Sequence, residues 1–350
     1  MGFELKWMVL SLFVSAIVLL VGLSIYERRS RMNAILKYPP PGELVDVGNR
    51  KLHLYCMGDG EIGDGDVTVI LEDGLGPMGS LAWVKVQPRV AEFARVCAYD
   101  RAGILWSDPS PHKPTGDRIA QDLNQALKQA GIEPPYLFVG LSMGGIYSRI
   151  FVERYPEEVA GMVFVDSAHP EQEERFPRAP ANLEPSTVQL WLTRQWAQIG
   201  VLRLLNHLPH RNAKRIPPEI LAPLKAFYPQ SIPAVQAETQ FFRANLHRAQ
   251  SPQSLGDRPL VVLTAAKPAT LEQYPRGTTE AYLQEERAIW QELQAELATL
   301  SSNSQQVIAS NSTHLMYFDV PELIIEGIRD AIEEIRRKQP PSPSKETRLN

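Results

Sequence analysis

Cysteine is scarce: the chain of 350 residues has two. Cys56 and Cys97 lack the close spacing of a metal module, and a typical cysteine on a strand is a small core residue. Positive charge is not in excess either, since the net charge is −4. Without a basic face there is nothing to attract phosphates, which excludes nucleic acid as a partner. No dinucleotide-binding glycine motif, metal-ligand cluster or internal repeat is present, so neither a cofactor nor a metal is expected. An apolar fraction of 44% beside 22% charged residues excludes disorder, collagen-like and coiled-coil architectures. Charge is also locally absent, because residues 7–26 carry none.

That uncharged run reads WMVLSLFVSAIVLLVGLSIY. As a helix it rises 1.5 Å per residue, enough to cross a hydrocarbon layer of about 30 Å. Trp7 and Tyr26 mark its two ends, where amphipathic rings favour the headgroup region. Residues 7–26 therefore read as a single-pass transmembrane anchor, with a cleaved signal peptide as the rival, given the small residues Gly22 and Ser24. Arg28, Arg29 and Arg31 on one flank outnumber Lys6 on the other by too little to assign the side of the membrane. Residues 27–42 end in Tyr-Pro-Pro-Pro-Gly and read as a stiff, extended spacer.

Beyond the spacer, two short apolar runs flank Gly48-Asn49, the pattern of a β-hairpin. Expected strands at 67–71, 96–99, 136–141 and 162–165 then alternate with expected helices at 81–94, 117–130 and 143–155. Such alternation implies a parallel sheet covered by helices on both faces. The rhythm stops at Ser167. Residues 168–257 are Pro-interrupted and helix-favouring, and strands at 259–264 and 306–309 with helices at 279–300 and 321–337 follow. The reading is one α/β domain, residues 43–338, split by a helical insertion at 168–257, with a disordered tail at 339–350.

Gly140-Leu141-Ser142-Met143-Gly144 fits G-x-S-x-G and falls between an apolar strand and a helix. That context forces a nucleophile into a sharp, exposed turn, and Gly140 and Gly144 remove side chains that would collide there. A serine hydroxyl needs a base oriented by an acid. Of seven histidines, His314 lies between the last strand and the last helix, at the sheet edge where Ser142 emerges; His169 is the competing base.

These features together resemble the α/β-hydrolase fold, a large superfamily of esterases and peptidases. The resemblance runs from about residue 45 to 337 and includes Asp100-Arg101-Ala102-Gly103 with Ser107, similar to the family's DxxGxGxS loop, although Leu105 replaces its second glycine. Thr313-His314-Leu315 is similar to the family's histidine loop. The family fold implied is a mostly parallel eight-stranded sheet with helices on both faces and the insertion as a cap. The family often has His-Gly after its third strand, where this chain has Glu72-Asp73-Gly74-Leu75-Gly76. The resemblance implies an oxyanion hole from the backbone N–H groups of Leu75 and Met143, which a change of side chain does not remove. The usual acid after the seventh strand is missing; Asp166, after the sixth, is the candidate, with Glu272 as fallback and a turn-capping role for Asp166 left open.

The expected activity is a serine hydrolase cleaving an ester or amide through an acyl-enzyme on Ser142, His314 and Asp166, with a small, apolar acyl substrate and a membrane as partners. An acyltransferase, a cofactor-free haloperoxidase-type enzyme, or a non-catalytic binding module would use the same scaffold. Serine at the elbow argues against the dehalogenase and epoxide hydrolase branches, which need a carboxylate nucleophile. In the family's strand order the second and fourth strands are neighbours, so Cys56 and Cys97 face each other; their pairing as a disulfide would imply a non-cytosolic domain. Trp191, Trp196, Leu204, Phe227, Phe241 and Phe242 of the insertion supply either substrate contacts or the cap's own core.

Overall fold

The computed structural model describes residues 2–58, 67–177, 187–205, 216–251, 254–274 and 277–338. Eight strands form one sheet in the order β1-β2-β4-β3-β5-β6-β7-β8. They are β1 (Glu43–Asp46), β2 (Lys51–Met57), β3 (Thr68–Glu72), β4 (Val96–Tyr99), β5 (Tyr136–Leu141), β6 (Val159–Val165), β7 (Leu260–Ala265) and β8 (Ser304–Ala309). Only β2 pairs antiparallel, with β1 and with β4; every other pairing is parallel. The β1-β2 hairpin turns on Gly48 and Asn49, both at positive φ, as a tight turn matched to strand twist requires. The central strands β3, β4 and β5 are buried along their whole length because helices cover both faces. One face carries α3 (Gly116–Gln129) and α4 (Met143–Arg154), and the other α12 (Pro321–Lys338). Helix α3 starts where the Thr115 hydroxyl accepts from the Arg118 amide at 3.3 Å.

Three expectations change. The helix expected at 81–94 is a 3-10 turn, Gly79–Trp83, followed by the single turn α2 (Gln87–Val90). Pro88 has no N–H to donate and suits the first turn of a helix, where none is needed, and α2 starts around it. The strand expected at 162–165 begins earlier, at Val159. The spacer is not extended: α1 (Gly2–Lys37) runs unbroken through the apolar segment and most of residues 27–42. Glu27 is 1% exposed and Ala34 5%, so this part of the helix packs on the domain. It ends at Lys37, because the prolines at 39–41 forbid continuation. The expected tail at 339–350 lies outside the described residues.

Between β6 and β7 the described residues form helices α5 (Gln172–Arg175), α6 (Thr187–Gln198), α7 (Val201–Leu204), α8 (Pro218–Gln240) and α9 (Phe242–Arg248). Phe227 is fully buried and packs on Trp106 with ring centroids 4.9 Å apart, so it belongs to the interior. Phe241 and Phe242 are half-buried, whereas Trp191, Trp196 and Leu204 are exposed.

Cys56 and Cys97 are register partners across β2 and β4 and are joined as a disulfide. The link closes a sequence separation of 41 residues. Such closure restricts the unfolded chain, so replacing both cysteines by alanine is expected to cost about 2–4 kcal/mol of unfolding free energy. Denaturant titration reads this as a lower midpoint; equal midpoints would mean that the link adds no stability.

Candidate active site

Ser142 directly follows β5 and immediately precedes α4, with φ 51° and ψ −124°, a conformation that L-residues rarely adopt. The turn is held by the Ser142 N–H donating to the Val165 carbonyl at 3.2 Å and by the Ala168 N–H donating to the Ser142 carbonyl at 2.9 Å. It is sterically closed to side chains. A Cβ on Gly140 would stand 2.6 Å from the Gly145 Cα, and one on Gly144 would stand 2.8 Å from the Asp73 carbonyl oxygen. Met143 is the first residue of α4, so its amide sits at the positive end of the helix.

His314 lies in the loop between β8 and the short α11 (Met316–Asp319). Its Nδ1 is 2.6 Å from Oδ2 of Asp166, which directly follows β6 at φ 43°. The other carboxylate oxygen of Asp166 accepts from the Ala265 amide at 3.0 Å and from the Trp290 indole at 2.8 Å. Three donors thus orient a carboxylate that is 4% exposed, and the imidazole beyond it is 49% exposed. Desolvation works against a charged imidazole, but the hydrogen bond and charge of Asp166, with the charge of Asp73, outweigh it and raise the His314 pKa above its ordinary 6.5.

His169 is not part of this pair. Its Nδ1 accepts from the Glu171 amide at 3.1 Å, and burial, with the nearby Arg149 charge, pushes it down to about 4. His169, Glu171 and Glu296 bring potential metal-ligand atoms within 4.8 Å of one another. Both carboxylates are exposed and face Arg175, at 3.9 Å and 2.6 Å. Another buried His-Asp pair, His53 of β2 with Asp100 at 2.8 Å, ties the loop after β4 to the sheet.

The segment after β3 packs against the elbow. A Cβ on Gly74 would stand 3.1 Å from the Ser142 Cβ, so the chain carrying Leu75 runs beside the serine. Arg101 holds this segment from behind, donating to the carbonyls of Asp73 at 2.7 Å and Gly74 at 2.6 Å. The same guanidinium pairs with Glu72 at 2.8 Å and, through two bonds of 2.9 Å, with Glu238 of α8. It also lies over the Tyr147 ring, 5.0 Å from its centroid. Glu72 and Asp73 are each pushed up to about 7 by burial, against the opposing charge of Arg101. Among the three carboxyls near one guanidinium, burial of surplus negative charge is what raises these pKa values.

Sequence reading did not single out Trp290 or Glu238, and it noted Arg101 only as part of a loop pattern. Trp290 sits in α10 (Glu280–Ala298), 124 residues from Asp166, and Glu238 is 137 residues from Arg101. No local pattern encodes either pairing. A buried acidic pair on a strand end, as at Glu72-Asp73, is the one signal that calls for a cation nearby.

A mostly parallel sheet with helices on both faces and a strained serine at the end of its fifth strand defines an α/β protein of hydrolase type. The chain belongs to the α/β-hydrolase fold family, whose profile matches residues 67–319. It is 24% identical over 269 residues to the protein YqjL of Bacillus subtilis, covering 77% of this chain and 84% of that one. It is 26% identical over 319 residues to the "Probable transporter efuK" of Hormonema carpetanum, covering 85% of this chain and 43% of that protein, so it spans less than half of that relative's length. Among solved structures, a thermophilic esterase from Thermogutta terrifontis superposes with a TM-score of 0.53 at 20% identity, over 83% of this chain and 97% of the other. The epoxide hydrolase CorEH superposes with a TM-score of 0.55 at 15% identity, over 84% and 98%. Similarity at this level is similarity of fold.

Proposed function

We propose that the protein is a membrane-anchored serine hydrolase that cleaves an ester, or an amide, through an acyl-enzyme. The observation that carries this reading is the Asp166-His314 hydrogen bond at the sheet edge where Ser142 occupies its strained turn. In it, His314 removes the Ser142 proton, and Asp166 orients the ring and stabilises the imidazolium. The amides of Leu75 and Met143 receive the negative charge of the tetrahedral intermediate; as the ester or amide bond breaks, His314 returns the proton to the leaving alcohol or amine, and water, deprotonated by the same base, then hydrolyses the acyl-enzyme. The substrate is a small acyl compound with an apolar acyl part, admitted under the cap at 168–257.

Residues 7–26 span a membrane in this reading, and the domain at 43–338 stands beside it. The span is favoured by an apolar helix with side chains from Leu5 to Tyr26 largely exposed. The Cys56-Cys97 disulfide favours the non-cytosolic side, because thiols stay reduced in the cytosol.

The pH profile tests the base. A raised His314 pKa means that the ring stays protonated to higher pH, so kcat/KM for a short-chain ester rises with pH through an ionisation above 6.5. Asp73→Asn removes one source of the shift and moves that inflection down. A flat profile, an inflection at or below 6.5, or the lack of any ester turnover would count against the reading.

A further inference from the structure

The cap and the anchor are locked together, and the lock fixes the cap's height relative to the end of the apolar run. Arg203 of α7 forms two bonds with Glu27 of α1, at 2.8 Å and 2.9 Å, and both side chains are largely buried. Gly200, between α6 and α7, lies against the same turn: a Cβ there would stand 3.1 Å from the Glu27 Cβ and 3.2 Å from the Tyr26 ring. Tyr26 is the last residue of the uncharged run, so Gly200 sits at the boundary that the run defines.

The elements on either side of Gly200 are apolar on the outside. On α6, Val188 (63% exposed), Trp191 (59%), Leu192 (36%) and Trp196 (44%) recur at spacings of three, four and eight. That spacing puts them on one helix face, while Ala197 on the opposite face is fully buried against the cap. After Gly200, Leu204 and Leu205 are 56% and 63% exposed. At 1.5 Å per residue, Trp196 and Leu204 are each about 6 Å along their helices from Gly200, and Trp191 is about 13 Å away. A soluble surface seldom gathers two tryptophans and four aliphatic side chains in such a stretch.

We propose that this face of α6 and α7 rests on the lipid surface beside the exit of α1, as a second membrane contact of the chain. The occupant is lipid rather than protein because the face is continuous with the anchor at the height of Tyr26, and because tryptophan is the side chain suited to the headgroup region. The contact orients the domain, so that the cap over Ser142 faces the bilayer. It rests on the membrane reading of α1 given above and adds that the substrate is an amphiphilic ester drawn from the lipid phase.

The test uses the full chain with Trp7→Phe, which silences the anchor's own tryptophan, reconstituted in vesicles of phosphatidylcholine and phosphatidylglycerol. With lipids brominated near the glycerol end of the acyl chains, the protein is expected to lose on the order of a third of its emission, since two of its remaining tryptophans lie at the interface. Adding Trp191→Gln and Trp196→Gln abolishes most of that quenching, and both sites are exposed enough for the fold to tolerate the change. On a vesicle-embedded ester the same variant loses about tenfold in kcat/KM, with a water-soluble short ester turned over as before. Equal quenching in both proteins overturns the proposal. So does a dimer in detergent that becomes monomeric with the two substitutions, which would make the face a contact between copies. Failure of the protein to float with vesicles overturns the membrane reading and this inference with it. Vesicle-bound protein that lacks Trp191 and Trp196 quenching overturns this inference alone.

Discussion

Ser142→Ala is expected to lower kcat/KM for any ester substrate by about 10⁴-fold or more and to abolish covalent labelling by a fluorophosphonate probe. The size of the loss follows from what the hydroxyl does: without it no acyl-enzyme forms, and only binding and the oxyanion donors remain to favour the reaction. Alanine keeps the Cβ that Ser142 already places 3.1 Å from the position a Gly74 Cβ would take, and the elbow's backbone bonds to Val165 and Ala168 do not involve the hydroxyl. The variant therefore folds, with a melting temperature close to that of wild type. Labelling that is equal in both proteins, or absent from both, would refute the proposed mechanism.

Arg101→Met is expected to destabilise the fold by about 3–5 kcal/mol. Methionine fills much of the same volume but leaves Glu72 and Glu238, 1% and 2% exposed, without the guanidinium that faces both. It also strips the carbonyls of Asp73 and Gly74 of their donors, and a buried unpaired carbonyl adds its own cost. The triple variant Glu72→Gln, Arg101→Met, Glu238→Gln removes the orphaned charges and recovers a large part of the loss. Urea titration of the single and triple variants measures both effects, and a single variant within about 1 kcal/mol of wild type would show the cluster to be dispensable. Glu238 lies in α8 of the insertion, whereas Glu72 and Asp73 flank the end of β3 beside the serine. Loosening the cluster thus affects the cap and the segment that carries the Leu75 amide together, so kcat falls along with stability.

Features with a short sequence span were legible. The elbow could be read because strand, G-x-S-x-G and helix follow one another within about twenty residues, and each imposes its own pattern on the chain. The hairpin at Gly48-Asn49 was readable for the same reason. Apolar spacing predicts one helix at 81–94, but Pro88 falls in the first turn of α2 and the segment divides there; proline alone does not settle such a break, since α8 continues through Pro223, Pro229 and Pro233. The spacer misleads because the extended backbone that the prolines at 39–41 impose does not reach back over residues 27–37, which continue the helix. Glu27 and Arg31 are partners four residues apart on one helix, at 2.9 Å, and Arg203 completes the set from a distant segment.

The pattern of apolar residues by itself determined the alternation of strands and helices, the apolar N-terminal helix and the serine at a strand end, because each depends on neighbours within one or two turns. Tertiary structure decided between the two candidate acids, Asp166 and Glu272, since only packing brings Asp166 to His314 across 148 residues. It likewise decided that Arg101 joins the cap to the chain beside Ser142, and that the cap's tryptophans face outward near α1. The reason is physical: a buried charge needs a counter-charge, and an apolar stripe needs a cover, but neither requirement specifies where in the chain its partner lies. Only the packing of the sheet and its insertion brings those partners together.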